Sequence, residues 1–191
     1  PDERRAAFAA LQSALALKDG ASEHEAAYID ALAKRYNGQP DTDREPLDLA
    51  WASAMGELSV AYPDDMNAAS MYAEALMNTM PWNYWSEDGI AKKETAAVIA
   101  SLEKVIDAKP DHPLALHLYI HALEASNSPE RAEAAADRLS DLVPGAGHLV
   151  HMPSHIFYRI GRYNDAAQAN IRAAAVDEAY IAACNAQGFY P

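Results

Sequence analysis

The chain has 191 residues, half of them apolar, and a formal charge of −13, which is length enough for one good-sized domain or a short array of helical repeats. So acidic a surface repels phosphate backbones and argues against nucleic acid as a partner, while it suits cations, basic peptides or plain solubility. Its one cysteine, Cys184, excludes an internal disulfide and a cysteine-based zinc cluster, and no apolar run approaches the ~20 residues that span a bilayer.

Alanine leads the apolar residues, with Leu and Ile behind it, and this is a helical vocabulary. Runs of Val, Ile and Thr between tight turns are missing, so the expected fold is all-α with no β-sheet. A first helix is expected from about Asp2 to Lys18, with apolar spacing through Ala7, Leu11, Ala14 and Leu15 and a stop at Asp19-Gly20. Ser22 then caps a second helix whose first turn is acidic and whose stripe is Tyr28, Ile29, Leu32 and Tyr36. Asn37-Gly38-Gln39-Pro40 ends it, a polar link over 41–45 follows, and Pro46 suits the first turn of a third helix reaching about Tyr62. Pro63-Asp64-Asp65 closes that helix. The start at Pro-Asp-Glu and the stop at Gly-Phe-Tyr-Pro read as a piece of a longer protein, soluble and more in keeping with cytoplasm than membrane.

Beyond Pro63 the chain is periodic. Two His-x-x-x-His pairs, His117/His121 and His151/His155, recur 34 residues apart (117 to 151, 121 to 155). The breaks at Pro110-Asp111-His112-Pro113 and Pro144-Gly145-Ala146-Gly147 keep the same offset, and Leu116 matches Val150, Leu123 matches Phe157, and Ala132 matches Ala166. The Pro63 and Pro110 breaks are 47 apart, one such period plus 13, which places an insertion near 80–94, where Pro81-Trp82-Asn83-Tyr84-Trp85 interrupts the pattern. The expected organisation is a helical pair and linker over 1–45, helical repeats over 46–182 and a tail over 183–191.

A period of 34 is the length of a two-helix tetratricopeptide unit. The run Phe157-Tyr158-x-x-Gly161-x-Tyr163-x-x-Ala166 resembles that repeat, with Gly and Tyr at the helix turn and Ala where helices cross. The preceding unit carries Asn127 and Pro129 instead. The stretch Pro144–Tyr163 also resembles an uncharacterised bacterial family of tetratricopeptide-like proteins. The resemblance implies an α-α superhelix, a solenoid of stacked helix pairs. It implies a concave groove that takes a peptide, protein segment or small ligand. By the same resemblance the groove-facing positions fall on His117, His121, His148, His151, His155, Glu124, Tyr158 and Arg159, with Glu74 one unit earlier. Glu74, His121 and His155 would form one row.

Helical arithmetic alone puts His117, His121 and Glu124 on one face. Imidazoles with a carboxylate suit a divalent transition metal (Zn, Fe, Mn, Ni or Cu), and the residues do not choose among them. Three readings follow: a binding or scaffold module, a metal-dependent enzyme with Glu74 or Glu124 as ligand or base and Tyr158 and Arg159 toward substrate, and a purely structural repeat. Pro153 stands between His151 and His155 and disfavours helical geometry at Met152, so the second pair is expected to be less regular than the first. His24 and His112 are expected at caps or on the surface. Trp82, Tyr84 and Trp85 are expected to pack an irregular loop or cover the groove. The Asp64-Asp65 and Asp41-x-Asp43 pairs read as solvated turn acids.

Overall fold

The computed structural model describes residues 2–39 and 41–184. Pro40 of the expected second helix stop, and the expected tail beyond Cys184, lie outside the described residues. The described residues hold no strand, and the one bridge among them pairs Trp85 with Ala91. The chain divides into a unit reaching Asn83 and taking in Lys93–Ser101, and a unit made of Tyr84–Lys92 and the chain from Leu102 onward. None of the described helices is long and apolar enough to cross a membrane.

The first unit contains α1 (Asp2–Leu17), α2 (Glu23–Leu32), α3 (Glu45–Ala61), α4 (Met66–Asn78) and the beginning of α5 (Thr95–Ala108). Ser22 opens α2 through a reciprocal capping box with Glu25, and Pro46 sits in the first turn of α3, so two of the helix starts were encoded locally. Trp51, Met55 and Leu58 of α3 and Ala69, Ala73 and Leu76 of α4 are buried. Each large apolar side chain there stabilises by roughly 1.5–3 kcal/mol relative to exposure. Asp65 is a correction to the solvated-acid expectation. Its Oδ1 accepts from the Asn67 and Ala68 amides and caps α4, and its Oδ2 accepts from Tyr28 Oη at 2.6 Å and pairs with His24 Nε2 at 2.8 Å. Asp43 is exposed as expected and accepts from the Glu45 amide.

The second unit contains the remainder of α5, then α6 (Pro113–Leu123), a 3-10 turn over Pro129–Ala132, α7 (Glu133–Leu142), α8 (Gly147–His151), α9 (Pro153–Arg159) and α10 (Tyr163–Cys184). The residue pairs matched at 34 are buried alike: Leu116 and Val150, Leu123 and Phe157, Ala132 and Ala166. Gly161, at φ +83°, takes the left-handed turn after α9 and lets the Arg162 amide reach the Phe157 carbonyl at 2.8 Å. That is the role of a glycine just past a helix end. Arg162 then ties α7 to α10 through Glu133, Asp137 and Asp165, with its guanidinium over the Phe157 ring.

Candidate metal centre

Along α6 every residue from Ala115 to Leu123 is buried except His117 and His121. A helix this apolar is held on several sides, and its two histidines mark the one strip left partly open to solvent. His112 caps its start, with Nδ1 accepting from the Ala115 amide at 3.2 Å. Its far end is held by donors from elsewhere in the unit. Trp85 Nε1 donates to the Ala122 carbonyl at 2.7 Å, and Arg159 donates to the Glu124 and Ser126 carbonyls at 2.7 and 3.0 Å. These satisfy carbonyls that a helix end leaves without intrahelical partners and fix the turn that carries Glu124. Trp85 and the buried Tyr84 therefore pack the 84–92 segment onto this unit, whereas Trp82 is exposed.

Opposite α6 stand α8 and α9. Met152 between them is helical, at φ −50° and ψ −41°, despite the proline that follows. Its amide donates to the His148 carbonyl and its own carbonyl accepts from the His155 amide. Pro153 thus enters as the first residue of α9, where no amide hydrogen is required. The chain bends without turning His151 away from His155, and their ring centroids are 4.7 Å apart.

The five imidazoles converge. His148 Nε2 lies 3.1 Å from His117 Nε2, and His151 Nε2 lies 2.9 Å from His155 Nε2. The His117 and His121 rings are 4.9 Å apart, His121 and His155 5.5 Å, and His148 and His151 6.3 Å. His117, His121 and His148 each offer a nitrogen within 4.8 Å of the others. Two nitrogens bound to one ion at about 2.0–2.1 Å sit roughly 2.8–3.4 Å apart at octahedral to tetrahedral angles. The His117–His148 separation falls in that range.

Glu124 bridges two of the rings. Its Oε1 takes His121 Nδ1 at 2.8 Å and its Oε2 takes His155 Nδ1 at 2.5 Å. Burial pushes this carboxyl upward, but hydrogen bonds from His121 and His155, with their charge, outweigh it and hold the pKa at about 2. Ionised Glu124 can only accept, so both rings turn an Nδ1 proton to it and leave Nε2 facing the other imidazoles, a lone pair whenever the ring is neutral. Glu124 is therefore an orienting carboxylate behind the imidazoles, the arrangement that fixes ring and tautomer at metal centres. Burial, then repulsion from His121, His148 and His155, lowers His117 to about 4. His148 is lowered by burial and by His121, His151 and His155, against the pull of Asp177.

The other expected groove residues have other surroundings. Arg159 is committed to backbone carbonyls as described, and Tyr158 is exposed with its ring 5.6 Å from that of Tyr163. Glu74 lies on α4 in the first unit, so the expected row of Glu74, His121 and His155 is divided between the two units. Two residues of α10 went unremarked in the sequence. Asn170 Oδ1 meets His151 Nδ1 at 2.6 Å. The carboxylate of Asp177 lies so close to α8 that a Cβ on Gly147 would overlap it, and its Oδ1 is buried with no hydrogen-bond partner. The signal was there: Asn170 and Asp177 are seven apart on one helix face, beside the buried Ala166, Ala169 and Ala173.

Among solved structures the chain is similar to one titled "MamA RS-1 ArsTM double mutant", a tetratricopeptide-repeat protein, at 16% identity over 94% of this chain and 97% of that one, with a TM-score of 0.55. At that identity the likeness speaks for the fold alone, a tetratricopeptide-like all-α helical repeat. No protein-family model matches the chain, and no curated protein does.

Proposed function

We propose that this is a helical-repeat binding module whose second unit holds a divalent transition metal on His117, His121 and His148. The observation that carries the reading is the approach of those three imidazoles, two of them nitrogen to nitrogen at 3.1 Å. Glu124 supports it by presenting His121 through Nε2. The acidic chain favours cations over anions. A groove built instead to take an acidic ligand would gain from imidazolium charge, whereas His117 and His148 are both pushed toward the neutral form that ligates metals. The resemblance of the Pro144–Tyr163 stretch to a bacterial tetratricopeptide-like family fits the same reading, with a peptide or protein segment as the further partner of the repeats.

The test is elemental analysis of protein purified without a histidine tag, paired with Zn²⁺ titration after chelator treatment. Stoichiometric metal, with one equivalent lost in His117→Ala/His148→Ala and helical circular dichroism retained, is the expected result. Equal Zn²⁺ binding by that variant and the parent would sink the assignment.

A further inference from the structure

His151 and His155 meet through nitrogens that neighbouring groups have already assigned. Asn170 donates its amide Nδ2 to the Ala166 carbonyl at 2.9 Å, which settles which end of the amide is oxygen. Oδ1 therefore faces His151 Nδ1 at 2.6 Å and can only accept, so His151 carries its proton on Nδ1. The Glu124 carboxylate imposes the same tautomer on His155. In their neutral forms both rings then point an Nε2 lone pair at the other across 2.9 Å. Two acceptors at hydrogen-bond distance repel unless an electrophile joins them. The separation is close to that of two nitrogens on one ion at about 2.0–2.1 Å.

We infer that His151 and His155 hold a second transition-metal ion, next to the one assigned to His117, His121 and His148. Glu124 is the positioning residue common to both, through His155 on one side and His121 on the other, and Asn170 positions His151. Two protein nitrogens leave further coordination positions for solvent or a bound ligand. A second ion in the same cluster is the arrangement by which proteins clamp an oxyanion or a carboxylate between two cations. The inference rests on the metal reading above, but on different atoms.

Zn²⁺ titration of the chelator-stripped full chain by calorimetry separates the two. Two equivalents are expected in the parent, one in His151→Ala/His155→Ala and one in His117→Ala/His148→Ala. The equivalent each variant keeps serves as its own folding control. Asn170→Leu is expected to weaken one equivalent about 10-fold, the low end of outer-shell effects, and to spare the other. A single equivalent that survives His151→Ala/His155→Ala would overturn the second ion and leave the first. A single equivalent abolished by either double variant would also overturn it, since one ion would then span the cluster. No binding by the parent would overturn both readings. Nitrogen-15 NMR of the metal-free chain adds an independent measurement, with Nδ1–H tautomers expected on both rings. A proton shared between the two Nε2 atoms would replace the metal with an imidazole–imidazolium pair and end the proposal.

Discussion

Each unit contains a histidine bound to a carboxylate, and the two pairs have opposite consequences. In the first unit one imidazole, His24, serves Asp65, a carboxylate that also takes Tyr28 and two backbone amides. Donors there outnumber acceptors, the network closes on itself, and its product is a capped helix. In the second unit the Glu124 carboxylate takes, among the described residues, His121 and His155. His117, His148 and His151 crowd beside them with nitrogens that no carboxylate absorbs. Surplus lone pairs facing one another are what a cation satisfies. On the metal reading proposed above, the ratio of imidazoles to carboxylates, more than the presence of a His–acid contact, is what would set a ligand set apart from a structural pair.

The largest expected effect tests whether α6 is the shared foundation. Ile120→Ala, at a fully buried position, should cost about 2–5 kcal/mol in denaturant unfolding and lower Zn²⁺ affinity as well. Met55→Ala in the first unit should be comparably destabilising and leave Zn²⁺ affinity unchanged. If both variants lost metal equally, the contrast between the units would fail.

Acid comes next. His117 sits at about 4 in the folded chain against an ordinary 6.5, so the unfolded chain binds that proton first. The stability present above pH 6.5 is then lost as pH falls toward 4, by something on the order of 2–3 kcal/mol. Glu124, at about 2 against 4.5, adds a loss between those values. Asp65 is lowered from 3.8 and therefore acts only below 3.8. Hydrogen exchange of metal-free protein between pH 6.5 and 4.5 should accordingly loosen α6 and α8 before α3 and α4. Loosening of α3 and α4 first would contradict the assignment.

A smaller change is expected of Glu124→Gln, which keeps the shape but loses the charge that orients two rings. Zn²⁺ affinity should fall about 10–100-fold with helical content intact, and unchanged affinity would show that Glu124 does not orient ligands. Asp65→Ala removes the matching carboxylate of the first unit. It should cost about 0.5–2 kcal/mol as a lost helix cap and leave metal binding alone, and a thermal melt alongside a Zn²⁺ titration reads both.

Helices and period could be read from local residues. Ser22 with Glu25, Pro46 and Gly161 act within a turn of where they stand, and the burial of Leu116 with Val150 follows from a 34-residue repeat written in the chain. The spacing also pointed to His117, His121 and Glu124, because three and four residues on a helix share a face. It expected the second pair to be the less regular, from the local bias of a residue before proline, and α8 does end at His151 with α9 beginning at Pro153. Packing of α8 and α9 against α10 kept Met152 helical all the same.

Amino-acid order alone thus determined an all-α repeat protein and named the imidazoles worth watching. Only the tertiary structure decided that Glu124 stands behind the rings, that Arg159 holds a helix end, and that Asn170 and Asp177 belong to the neighbourhood. Those assignments depend on which side chains arrive from helices far apart in the chain, and on which hydrogen-bond partners are left once each helix has packed. Helical periodicity carries no record of either.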